Sequence, residues 1–195
     1  LLDRGNQEVL FHYIRLRFRT SPAQALLQWS DALKGSQDLG NRTELFSKCL
    51  KTLKNDELRL SERKLAGEVA YREVNLLMQS PLWKNDPDNI LEFCELLAET
   101  GKPQQAHERL SELLDEYPLY PRAVFLLTRL TVHLKDDSKL VEVGKSLASI
   151  SSQRNKTGVE AIRHMTLLHL LNPLSINSLN RCSELLQSNP ESQPI

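Results

Sequence analysis

The feature that most constrains this chain is the way proline, glycine and short polar breaks cut a leucine-rich sequence into amphipathic segments of similar length. From residue 87 onward the cuts become regular. Residues 88–100 carry apolar side chains at helical spacing and stop at Gly101, the residue best suited to the left-handed turn that ends a helix. Residues 103–117 form the next segment, opening on Pro103 and closed by Pro118. A second pair of helices is predicted over 121–134 and 138–151, and a third over 159–171 and 175–188, closed by Asn189-Pro190. Links of a few residues force consecutive helices to lie antiparallel, as hairpins. First helices begin near Asp88, Pro121 and Gly158, about 33–37 residues apart. The segment Arg109-Leu110-Ser111-Glu112-Leu113-Leu114 returns as Arg181-Cys182-Ser183-Glu184-Leu185-Leu186, 72 residues or two periods later. Three stacked hairpins produce that offset.

Upstream, helical periodicity continues without the repeat. Residues 7–18 offer Val9, Tyr13 and Leu16 on one face, and Thr20-Ser21-Pro22 starts a helix whose apolar side holds Ala25, Leu26, Trp29 and Leu33. After a polar break at 35–40, residues 41–54 carry Leu45, Cys49, Leu50 and Leu53. A longer helix from about residue 56 carries Leu65, Ala66, Val69, Val74 and Leu77 and is closed by Ser80-Pro81. The expected fold is therefore all-α, about ten helices paired as antiparallel hairpins and stacked as an α-solenoid. Its expected organisation is a region of helical hairpins over 1–84 and a repeat region of three helix pairs over 85–195. One hairpin buries too little apolar surface to offset the entropy of ordering it, so the hairpins must share a core. Leu97, Leu110, Leu113, Phe125 and Leu127 are the expected core of the repeat region.

The repeat region resembles the tetratricopeptide repeat family, whose unit of 34 residues has a small residue where its two helices cross. With Pro87 as the first position, Cys94 falls at that crossing, Gly101 in the tight turn and Ala106 at the small site of the second helix. Leu110 and Leu113 then take its apolar sites and Pro118 the end. The next unit departs from the pattern, with Thr128 at the crossing, Asp136 in place of the turn glycine and Leu140 in place of the small alanine. The third keeps Pro190 but turns at Asn172-Pro173. The resemblance spans about residues 87–190, is strongest over 87–118, and implies a protein that holds other proteins on its helical surfaces.

Composition narrows the function classes. Hydrophobic residues make up 40% and charged residues 26%, outside the range of disordered tails and membrane bundles, and no apolar run reaches the length of a membrane-spanning helix. Basic and acidic residues balance at 25 each, which gives no field for non-specific nucleic-acid binding. Residues 1–84 are nevertheless mildly basic, with 14 Lys and Arg against 10 Asp and Glu. Cys49, Cys94 and Cys182 are odd in number and far apart, as expected of reduced buried thiols in a cytoplasmic or nuclear protein. The sequons at Asn41 and Asn155 point the other way, but such short patterns arise by chance. The abrupt ends at Leu1 and Ile195 suggest a piece of a longer protein.

No catalytic constellation, metal site or cofactor is expected. His164 and His169, five residues apart, point about 140° from one another on a helix, whereas metal-binding pairs use a spacing of four. His107-Glu108 lacks the second histidine of a zinc protease, and neither a nucleophile elbow nor a glycine-rich phosphate loop is present. The adjacent acids Asp115-Glu116 and Asp136-Asp137 fall at helix ends, where solvated charge is ordinary. The residues with binding chemistry are therefore those suited to partners. Arg15, Arg17 and Arg19 interleave with aromatics in His12-Tyr13-Ile14-Arg15-Leu16-Arg17-Phe18-Arg19, and Arg15 and Arg19 would share one helix face. The run also alternates like a strand. Trp83, in a connection, is either a cap on the preceding hairpin or an exposed hot spot. Asn89, Glu92 and Glu95 form an acidic set on the first repeat helix, where tetratricopeptide proteins that grip carboxylates place Lys, Arg and Asn. A basic or apolar partner helix fits that set better. The leading expectation is a non-catalytic interaction scaffold within a multi-protein complex, with no small-molecule substrate and no membrane insertion. The alternative is a nucleic-acid-associated subunit using the Arg15–Arg19 edge.

Overall fold

The computed structural model describes residues 4–134, 137–153 and 155–171, and these are all-helical, with no strand among them. Ten helices run in order: α1 (Arg4–Arg17), α2 (Pro22–Ala32), α3 (Leu39–Leu53), α4 (Leu60–Leu77), α5 (Pro81–Lys84), α6 (Pro87–Glu99), α7 (Pro103–Glu116), α8 (Pro121–Leu134), α9 (Asp137–Ser151) and α10 (Lys156–Leu171). Five of them open on proline. A proline at the first helical position gives up an N–H that would have no partner anyway and fixes φ near its helical value. The expected helix over 175–188, with Cys182 and the closing Asn189-Pro190, lies outside the described residues, as do Asp136 and Asn172-Pro173.

The chain forms two compact units, Leu1–Gly101 and Lys102–Ile195. The division falls after Gly101, whose φ of 78° places it in the left-handed region that the turn requires of a glycine. The sequence pattern instead groups residues 85–101 with the repeat region. They join the first unit because α6 packs on α3, α4 and α5.

In the first unit α3 and α4 make the most extensive pairing, and α2 lies against both. Ile14, Leu26, Trp29, Leu45, Phe46, Val74 and Leu77 form its centre. Local signals set the helix ends. Asp38 caps α3, accepting from the backbone N–H of Asn41 at 3.0 Å and from its side-chain amide at 2.7 Å. Glu62, in the first turn of α4, reaches back to the N–H of Arg59 at 3.1 Å, which starts α4 at Leu60 rather than near residue 56. Helix α1 covers the segment expected to be helical, and its run with strand-like alternation is helical as far as Arg17. The stripe Val9–Tyr13–Leu16 faces outward. Phe11 and Ile14 are buried instead, with Leu10 and Phe18 packed beside them. Two stripes compete on this helix, and the one with two phenylalanines and an isoleucine removes more apolar surface from water.

In the second unit each helix packs on the next, and α10 also returns to α8. Ala106, Leu110, Leu113, Val124, Leu127, Val143, Leu147, Ile150, Ala161 and Ile162 are buried. Thr128, at the expected crossing, is fully buried and returns its hydroxyl to the carbonyl of Val124 at 2.7 Å, so its polar group costs little. Phe125 departs from expectation: half-buried, it stacks on the imidazole of His164 with ring centroids 4.6 Å apart.

Leu113→Asp places an unpaired carboxylate in this core and should cost more than about 4 kcal/mol, which is the scale of a whole unit's stability. The expected outcome is loss of the cooperative thermal transition of the second unit. An unchanged transition by circular dichroism would remove Leu113 from the core. Asp38 is held below the usual carboxylate range by the hydrogen bonds from Asn41. Its capping contribution is therefore complete above the ordinary value of about 3.9 and disappears as pH falls through the depressed one. Asp38→Ala should lower stability by about 1 kcal/mol at neutral pH, and the gap to the parent protein should close at strongly acid pH in urea titrations.

Candidate interaction surface

Helix α1 is apolar on two sides. One side is buried in the first unit, and the other presents Val9, Tyr13 and Leu16, which are 69%, 53% and 52% exposed. These three stand at i, i+4 and i+7, one continuous ridge on a helix. Its edge is basic. The guanidinium of Arg17 lies 5.9 Å from the centroid of the Tyr13 ring and donates to the side-chain oxygens of Gln24 (3.1 Å) and Gln28 (3.3 Å). Arg19 is exposed in the turn after α1, and His12 is exposed beside Tyr13. Among the described residues no carboxylate pairs with Arg17 or Arg19.

Arg15 behaves differently from its neighbours. It forms a two-pronged pair with Glu44 on α3, at 3.1 and 2.6 Å, and its guanidinium lies 5.3 Å from the Trp29 ring centroid. The hydrogen bond to Glu44 raises its pKa. Arg15 thus fastens α1 to the rest of the unit, and Arg19, beyond the last helical residue Arg17, does not share its face. The three arginines do not form one basic edge.

The remaining expected binding residues are engaged within the first unit. Trp83 is 4% exposed and meets the Phe46 ring edge-on at 5.8 Å, so it is the cap rather than an exposed hot spot. Asn89 donates to the Trp83 carbonyl at 3.2 Å. Glu92 accepts from the Ser47 hydroxyl at 2.9 Å, and Glu95 accepts from the Lys54 ammonium at 2.7 Å. These three side chains hold α6 against α3 and α5, which leaves α6 without the open acidic face that the repeat pattern suggests.

A polar network deep in the first unit has no counterpart in the sequence reading. Arg42 is 6% exposed and Glu73 1%. Arg42 pairs with Glu73 and also donates to the carbonyls of Leu33 (2.6 Å) and Ser36 (2.8 Å), at the end of α2 and in the following turn. Ser30 donates to the other carboxylate oxygen of Glu73, and Arg72 donates to Ser30. Cys49, close by and fully buried, carries a free thiol whose pKa burial drives upward. The available signal was weak: charged residues at 42 and 73 lie on the apolar sides of two otherwise ordinary amphipathic helices.

In the second unit His107 is buried, with its ring 3.4 Å from the Thr131 hydroxyl, while the His164 ring contacts Phe125 and the Glu160 carbonyl. A cleft of about 370 Å³ between α7, α8 and α9 has Val124, Leu127 and Val143 on its floor. Its rim mixes Asp115 and Glu142 with Lys145. Among the described residues no group of three or more His, Cys, Asp or Glu is placed to hold a metal ion, and no helix is long and apolar enough to cross a membrane.

Comparison with protein-family models, curated proteins and solved structures gives no match to this chain.

Removing one partner of the buried pair leaves the other charged and poorly solvated. Glu73→Ala should therefore cost about 3–5 kcal/mol, while the double change Arg42→Met with Glu73→Leu should cost clearly less than the single one. Urea unfolding monitored at Trp29 and Trp83 tests this. A double variant that loses as much as Glu73→Ala or more would mean that the stranded Arg42 charge is not what the single change costs.

Proposed function

We propose that this chain is a non-catalytic protein-interaction scaffold, a tetratricopeptide-like helical domain of a larger intracellular multi-protein complex. The observation that carries the reading is the outward ridge of α1. Isolated apolar side chains are common on protein surfaces, whereas a contiguous ridge at helix-packing spacing marks a surface built to be covered. Two placements support the repeat likeness: Gly101 makes the left-handed turn, and Thr128 is buried on α8. The free, buried thiol of Cys49 suits a reducing compartment. Helical hairpin stacks act by holding partners on their side-chain surfaces.

The test is purification from cells of the full chain beside its Val9→Glu/Leu16→Glu variant, with quantitative mass spectrometry of what accompanies each. Both positions are exposed, so helicity and melting temperature should hold within about 0.5 kcal/mol of stability. The expected result is a stoichiometric set of proteins with the parent chain that falls at least about tenfold with the variant, a loss of about 1.4 kcal/mol. Equal recovery from both, or no stoichiometric partner, overturns the reading.

A further inference from the structure

Resting on the scaffold reading, we propose that the outward ridge of α1 seats one amphipathic helix of a partner protein, and that this helix carries Asp and Glu along its edge. The spacing argues for a helix. Val9, Tyr13 and Leu16 lie in one row along α1, and two helices pack by setting such rows into one another's grooves with axes about 8–10 Å apart. An added β-strand is excluded on this face, because the backbone N–H and C=O groups of a helix interior are already paired with one another.

Charge argues for the acidic edge. Arg17 is anchored by two glutamine side chains, which fix its position without neutralising it, and it lies directly beside Tyr13. Arg19 adds an exposed guanidinium in the turn that follows α1. The partial negative charge at the C-terminus of α1, about half an elementary charge, is smaller than the sum of the two arginines. A carboxylate arriving beside Tyr13 would meet a guanidinium already held in place, and a preordered fork needs less immobilisation on binding. A second copy of this chain would bring a ridge with the same basic edge. A nucleic acid would meet three apolar side chains, with the Arg15 guanidinium already occupied by the Glu44 carboxylate.

The test uses two fluorescein-labelled synthetic helical peptides of about 21 residues, roughly 30 Å long, that share one leucine ridge. One carries Glu at the edge positions and the other Lys. Fluorescence anisotropy against the full chain is read at about 50 and 300 mM NaCl, where screening lengths differ more than twofold. The Glu-edged peptide is expected to bind at least about tenfold more tightly at low salt, with the gap narrowing at high salt. Val9→Glu/Leu16→Glu should weaken both peptides, and Arg17→Glu/Arg19→Glu should reverse the preference, each with unchanged helicity and melting temperature. Equal affinity for the two peptides overturns the proposal, as does binding of the Glu-edged peptide that neither variant disturbs. A parent-chain dimer that Val9→Glu/Leu16→Glu disperses in sedimentation also overturns it, assigning the ridge to a second copy. An oligonucleotide that displaces the Glu-edged peptide in a salt-sensitive way would do the same in favour of nucleic acid. If the peptides fail while that variant still loses its cellular partners, the acidic helix falls and the scaffold stands.

Discussion

Two backbone carbonyls, at the end of α2 and in the turn after it, face the interior of the first unit, and the guanidinium of Arg42 is what makes that tolerable. The end of α2 leaves the Leu33 carbonyl without an intrahelical partner, and the turn after it leaves that of Ser36; both point toward Arg42, which donates to each. A guanidinium brought into an apolar interior needs an anion, and Glu73 on α4 supplies it. The second oxygen of Glu73 needs a donor, and Ser30 on α2 supplies that. Each group therefore requires the next, and together they set the mutual register of α2, α3 and α4 more narrowly than leucine packing does. Apolar contacts tolerate sliding, whereas a buried fork bound to a carboxylate does not.

This network also explains what the sequence could and could not reveal. Helix existence was legible almost everywhere, because apolar spacing, prolines at helix starts and the glycine at 101 are local signals carried by the residues concerned. The start of α4 lies at Leu60 rather than near residue 56 because a side-chain cap intervenes there, Glu62 reaching back to Arg59. Long-range pairings were not legible. Nothing near residue 42 announces a partner 31 positions away, and nothing in the segment 87–118 states that its first helix belongs with α3 and α4. Periodicity says that a helix has an apolar side without saying which neighbour covers it.

The site residues follow the same division. Arg15, Asn89, Glu92 and Glu95 were recognisable as polar groups with binding chemistry, and they do bind, but to Glu44, Trp83, Ser47 and Lys54 of their own unit. Trp83 was recognisable as an anchor, and it anchors α5 against Phe46. The ridge of Val9, Tyr13 and Leu16 is legible as the apolar face of a helix, and one stripe is what a helix of a small domain usually shows. Helix α1 shows two, and the competition between them is settled by ring size, which a count of apolar positions does not weigh.

Cys49 stands within the same interior, where burial raises the pKa of its thiol. Alkylating reagents attack the thiolate, so this sulfur is invisible to them until α3 parts from its neighbours. The first unit thereby carries a reporter of its own breathing: the pace at which iodoacetamide marks Cys49 follows the population of the opened state, and the opening rate itself once alkylation outpaces reclosing.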